Sequence, residues 1–148
     1  RQMEIRRALV TWEGAIADQA ELAPDCLPLL RELQERGQKL AILTRNTREL
    51  ALRTLDAAGI REFFPDPVVL GRHCAEPKPS AQGLHQILKQ WSASPTDAVM
   101  VGDYLFDLQA GRSAGTFTVY IDRDDSRMWQ DHADLRVTRL DEILDRTA

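Results

Sequence analysis

Cysteine, lysine and long apolar runs are all scarce in this sequence of 148 residues. Its 2 cysteines, Cys26 and Cys74, lie far apart with no CxxC and no Cys/His ligand spacing, so a zinc site or disulfide framework has no support and a reducing, cytoplasmic setting is expected. No apolar run approaches the roughly 20 residues that cross a bilayer, and the first residues lack a signal-peptide pattern. A basic excess is missing too. With 19 Lys and Arg against 23 Asp and Glu, the net charge of -4 leaves no electrostatic footprint for nucleic acid. Internal repeats and low-complexity tracts are absent. What remains, 43% hydrophobic and 28% charged residues, is the composition of an ordinary globular domain, and the length suits one core.

Ile5, Ala8, Leu9, Trp12, Ala15, Ile16 and Ala20 recur at steps of three and four, which predicts a helix from about Gln2 to Glu21, ended by Pro24. Asp25 is a candidate cap for a second helix carrying Leu27, Leu30 and Leu33, with Gly37 at its left-handed exit. From Lys39 the pattern changes. Leu40-Ala41-Ile42-Leu43 is a continuous apolar run of the kind found in strands buried on both faces, and it ends at Thr44. Asn46 with Glu49 reads as a capping box for a helix through Ala51, Leu55 and Ala58. Val68 to Leu70 reads as a short strand, Ser80 to Trp91 as a helix and Ala98 to Val101 as a buried strand. Beyond these, Leu105 to Ala114 reads as a helix, Phe117 to Ile121 and Leu135 to Val137 as strands, and Thr138 as the cap of a last helix. Strands alternating with helices imply a Rossmann-like parallel sheet with helices on both faces, an α/β fold.

In such a sheet the working residues gather beyond the carboxyl ends of the strands. Thr44 stands at one such end, followed by Arg45 and Asn46, where a hydroxyl and backbone amides beside a helix start suit a phosphoryl oxygen. An ordinary strand-to-helix turn would use the same residues. Lys78 lies between Pro77 and Pro79, which stiffen the loop and hold its ammonium in one place, although a solvated loop lysine would look the same. Gly102-Asp103-Tyr104-Leu105-Phe106-Asp107 sets two carboxylates four residues apart at a strand end. Magnesium prefers such hard oxygen ligands and keeps several waters, so one direct and one orienting carboxylate suffice. A plain helix cap with a solvated Asp in the first turn is the alternative.

In this order, a hydroxyl at a strand end, a Pro-Lys-Pro loop and Gly-Asp-x-x-x-Asp resemble the second, third and fourth motifs of the haloacid-dehalogenase-like (HAD) hydrolases. Leu43 to Arg48 and Val101 to Tyr104 are most similar to the phosphoglycolate-phosphatase-like branch. The resemblance implies magnesium-dependent hydrolysis of a small phosphorylated metabolite, through an aspartyl-phosphate, while the charge and the short apolar runs give the expectation of no nucleic-acid or membrane partner. It further implies that Thr44 and Lys78 are catalytic, that Thr44, Arg45, Asn46 and Lys78 hold phosphate, and that Asp103 and Asp107 serve the metal Mg2+.

The family's first motif, a strand ending in Asp-x-Asp-Gly-Thr, has no counterpart here. The nearest stretch is Thr11-Trp12-Glu13-Gly14-Ala15, and its flanks have helical spacing. Asp122-Arg123-Asp124-Asp125-Ser126 echoes the motif only if the chain order were rearranged. The sheet is therefore expected to lack its central nucleophile strand, between the strands ending at Thr44 and Asp103. Residues 1–23 are expected to be a helix at the end of a cap, and 24–148 an incomplete core from a longer parent. On this expectation the 148 residues alone are inactive. Two other classes share features: a catalytically inactive HAD-like binding or regulatory module, and a receiver-type phosphoacceptor domain. The receiver order of acid pair first and lysine last is the reverse of the order here.

Overall fold

Unbroken apolar strands such as Leu40 to Leu43 need cover on both faces. The computed structural model of the chain, which describes residues 8–11, 17–18 and 21–145, supplies that cover. Its elements run β1 (Ala8–Thr11), β2 (Ala17–Asp18), β3 (Glu21–Leu22), α1 (Cys26–Glu35), β4 (Lys39–Leu43), α2 (Arg48–Ala57) and β5 (Val69–Leu70). They continue with α3 (Gln82–Trp91), β6 (Ala98–Gly102), α4 (Leu105–Ala114), β7 (Phe117–Ile121), β8 (Leu135–Val137) and α5 (Glu142–Asp145). Six strands form one sheet in the order β5-β4-β1-β6-β7-β8, every neighbouring pair parallel. β2 and β3 make a small antiparallel pair of their own.

Alternate residues of each strand go to opposite faces, as the period of two requires. Leu40, Ile42, Val99, Val101, Val119 and Ile121 pack with Leu29, Leu30 and Leu33 of α1 and Leu55 of α2. Ala41, Leu43 and Met100 face the other way, onto Leu84 and Ile87 of α3 and Ala110 and Ala114 of α4. The α/β class with helices on both faces is thus as expected, and α4, β7 and β8 begin and end where the sequence placed them.

The first twenty residues differ from expectation. The place between β4 and β6 that was expected to be empty is filled by β1, with Thr11 opposite Ile42 on one side and Val101 on the other. Strands at 8–11, 17–18 and 21–22 replace the helix expected over 2–21, the remainder of which lies outside the described residues. Local spacing and sheet pairing conflicted, and pairing prevailed. Ala8-Leu9-Val10 is itself a short apolar run, which periodicity cannot assign on its own. Neighbouring strands lie about 4.8 Å apart, so without β1 the facing edges of β4 and β6 would be left unpaired across a gap roughly twice that wide.

Two caps also differ. The side chain of Thr47, one residue after Asn46, starts α2 by accepting from the Leu50 amide at 3.1 Å. Asp25 makes no cap to α1. Its buried carboxylate instead accepts from the Leu140 amide at 2.7 Å and from both terminal nitrogens of Arg123, at 3.0 and 3.2 Å, joining the start of α1 to the far end of the sheet.

Candidate active site

Parallel strands pointing the same way bring their last residues to one rim, so β1, β4 and β6 deliver Thr11, Thr44 and Asp103 to neighbouring places. Thr44 is buried just past β4; its amide donates to the Leu70 carbonyl at 3.0 Å and its hydroxyl oxygen accepts from the Asn46 amide at 3.1 Å. This tight exit is backed by Gly71. A methyl group there would lie 2.8 Å from both Arg48 Cα and the Asn46 carbonyl oxygen, closer than packed atoms tolerate. Arg48 ties α2 to the outer strand by donating to the Val69 carbonyl at 3.1 Å.

Lys78 reaches this rim from the loop before α3. The residue is 3% exposed, and its ammonium donates to the Leu43 carbonyl at 3.0 Å and to Asp107 Oδ1 at 2.6 Å. Thirty-five residues of sequence separate Lys78 from Leu43, yet they touch. Burial pulls the Lys78 ammonium below its ordinary pKa, while Asp107 and then Asp103 push it back up and Arg45 opposes them.

Asp107, in the first turn of α4, uses its other oxygen to accept from the Tyr104 amide at 3.1 Å. Both of its oxygens are therefore occupied within the protein. Gly102 makes room for it: a methyl group at that position would lie 2.5 Å from both Asp107 Cγ and Oδ2. Asp103 is different. Its Oδ1 is buried with no hydrogen-bond partner. Burial, and next the neighbouring Asp107, push its carboxyl up to about 6, with Lys78 and Arg123 acting in the opposite direction. A buried carboxylate oxygen without a partner, beside a second carboxylate, is a donor set that a hard divalent cation would satisfy.

A cavity of about 160 Å³ opens here, lined by Arg45, Asn46, Lys78, Tyr104, Phe106 and Asp107. Buried Thr44 immediately precedes the lining residues Arg45 and Asn46 in the chain. Of the sequence-predicted residues, Arg45, Asn46, Lys78 and Asp107 line this cavity and Thr44 and Asp103 do not, while two that sequence reasoning passed over, Tyr104 and Phe106, join the lining. Their signal was present: two large aromatics within the first turn of a helix that begins between two acidic residues. The Asp122 stretch holds a loop together instead. Asp122 accepts from the Ser126 and Arg127 amides at 3.1 and 2.8 Å and from Arg136 at 2.9 Å. Burial would raise the Asp122 carboxyl, but these donors outweigh it and hold it at about 2.

Known proteins place this parallel α/β sheet within one class of hydrolases. The family described as haloacid dehalogenase-like hydrolase matches residues 4–115. The chain belongs to that family. It is 37% identical over 89 residues to pyrophosphatase PpaX of Bacillus velezensis, covering 60% of this chain and 41% of that protein. The crystal structure of a HAD phosphatase from Thermococcus onnurineus superposes with a TM-score of 0.75 at 30% identity, covering 85% of this chain and 59% of that one. A predicted phosphoglycolate phosphatase from Haemophilus somnus superposes at 0.78 with 25% identity, covering 84% and 56%. The chain spans less than half the length of the curated relatives it matches.

Proposed function

We propose that this site serves a magnesium-dependent phosphate-monoester hydrolase acting on a small phosphorylated metabolite, and that the 148 residues by themselves grip phosphate without turning it over. The observation that carries the reading is that buried Lys78 donates both to the Leu43 carbonyl, one residue before Thr44, and to Asp107, four residues after Asp103, at a cavity that Lys78 and Asp107 line with Arg45 and Asn46. Thr44, the Arg45 amide and the Asn46 side chain bind phosphoryl oxygens, and Arg45 adds positive charge at the mouth. Lys78, fixed by the Leu43 carbonyl and Asp107, offsets the charge on the equatorial oxygens, where most catalysis of phosphoryl transfer resides. Asp107 orients Lys78 and supports the metal site. Magnesium held by Asp103 would supply a further positive charge against the phosphoryl group.

The expected lack of turnover follows from β1, which ends in Thr11 where an attacking carboxylate would stand. Thr11 carries no carboxylate, and without one the acyl-phosphate that the family resemblance implies does not form. On this reading turnover requires an attacking aspartate that the 148 residues do not place at the end of β1. The same residues also serve a catalytically inactive binding module. The two readings separate on an aryl phosphate assayed with magnesium. Turnover by the longer parent, abolished by Asp103→Asn and absent from the 148-residue chain, supports the hydrolase; a parent indifferent to Asp103→Asn refutes the site.

A further inference from the structure

Tyr104 is 46% exposed, unusual for so large an aromatic, yet it is firmly propped. Phe106 meets it edge-on, with ring centroids 5.3 Å apart and planes at 89°, and Trp129 meets it at 4.8 Å and 72°. Trp129 in turn leans on Tyr120 of β7 at 6.1 Å. The loop that carries Trp129 is held from within by buried Asp122, although Asp125 and Arg127 adopt left-handed backbone angles, φ 53° and 61°, that side-chain-bearing residues rarely accept. Local backbone strain is thus sustained in the loop that puts Trp129 against Tyr104. Phe106 also faces Arg45, whose guanidinium lies over its ring, 5.1 Å from the centroid, and this contact keeps the cation at the cavity mouth.

We propose that Tyr104, propped by Phe106 and Trp129, is a leaving-group platform, and that the phosphate ester taken by this site carries a planar aromatic ring. The proposal rests on the phosphate-ester reading above. Three observations carry it. The aromatic wall and the cationic grip are parts of one cavity. At about 160 Å³ that cavity is smaller than the roughly 300–1,000 Å³ that enclose a drug-sized ligand, so a phosphoryl group fills much of it and the rest of the ester emerges across Tyr104. Residues 12–25 join β1 to α1, too few for an inserted domain of about 50 residues or more between those two elements. A ring already fixed by two neighbours loses little freedom when a ligand stacks on it, which makes Tyr104 a specific contact at low entropic cost.

The test is calorimetric binding of three probes to the full 148-residue chain with magnesium: inorganic phosphate, methyl phosphate and phenyl phosphate. Phenyl phosphate is expected to bind about tenfold more tightly than methyl phosphate, the scale of one good aromatic contact. Tyr104→Phe keeps that ratio, and Tyr104→Leu, which retains apolar bulk without the ring, brings it near one. Equal binding of the two esters by the wild-type chain overturns the platform while leaving the phosphate site intact. A phenyl preference untouched by both Tyr104→Leu and Phe106→Leu also overturns it. Failure of inorganic phosphate to bind, or binding indifferent to Lys78→Met, removes the phosphate-ester reading itself.

Discussion

Replacing Lys78 with methionine removes one charge from an ion pair whose side chains are 2% and 3% exposed, 2.6 Å apart. At an effective dielectric of about 20 the gross attraction over such a distance is roughly 6 kcal/mol. Desolvation of the two ions opposes a gain of that size, so the intact pair adds little net stability. Breaking it is another matter. Asp107 would keep the Tyr104 amide but lose its buried partner, and stranding one member of a buried pair costs about 3–5 kcal/mol. The Leu43 carbonyl would lose a donor as well. For a domain of this size each kcal/mol moves Tm by roughly 2–4 °C, so Lys78→Met is expected to melt about 6–20 °C lower. Urea unfolding at pH 7 followed by circular dichroism gives the free energy directly. The double variant Lys78→Met/Asp107→Leu, which leaves no lone charge, should recover most of the loss. A single variant within about 1 kcal/mol of wild type, or a double variant no better than the single, would refute the buried-pair reasoning.

Gly102→Ala should destabilise by about 1–3 kcal/mol, the usual penalty of overpacking, because the added methyl overlaps Asp107; it should also weaken phosphate binding by displacing that carboxylate from Lys78. Both effects are read from urea melts and calorimetry, and an unchanged affinity would separate Gly102 from the site. Asp122, held at about 2 in the folded chain against an ordinary value of 3.8, stabilises the fold fully above the unfolded value and loses that contribution as pH falls from about 4 toward 2. Asp122→Asn should therefore be less stable at pH 7 yet lose less Tm than wild type between pH 5 and 2; parallel acid profiles would contradict this. Burial, then Asp25, push the Cys26 thiol up to about 12. An aromatic disulfide reagent at pH 8 should titrate Cys74 in the native chain and Cys26 only in urea, and two fast thiols would show that Cys26 is not sealed in the core.

The residues of the candidate site were legible because each obeys a local rule. Thr44 and Asp103 follow unbroken apolar runs, Lys78 stands between prolines, and Asp107 lies one helical turn beyond Asp103. The rim they share followed once the sheet was known to be parallel. The roles of individual atoms were not legible: that Asp107 spends both oxygens on Lys78 and the Tyr104 amide, leaving Asp103 with the buried oxygen that has no partner, depends on distances between segments far apart in sequence. The same holds for Asp25, a reasonable helix cap by position that instead bonds Arg123 and the Leu140 amide, 98 and 115 residues away.

Local rules along the chain were enough to set the order of strands and helices from β4 onward, because the apolar runs and the glycines at helix exits, Gly37, Gly59 and Gly115 with φ of 74°, 75° and 85°, act over a few residues. It took the folded arrangement to establish that Ala8–Thr11 is a strand, that it lies between β4 and β6, and that Tyr104 stands propped at the mouth of the cavity. Helical spacing is a property of one segment. Strand pairing belongs to two segments at once, and the exposed edges of β4 and β6 offered hydrogen bonds that no local pattern in the first twenty residues could reveal.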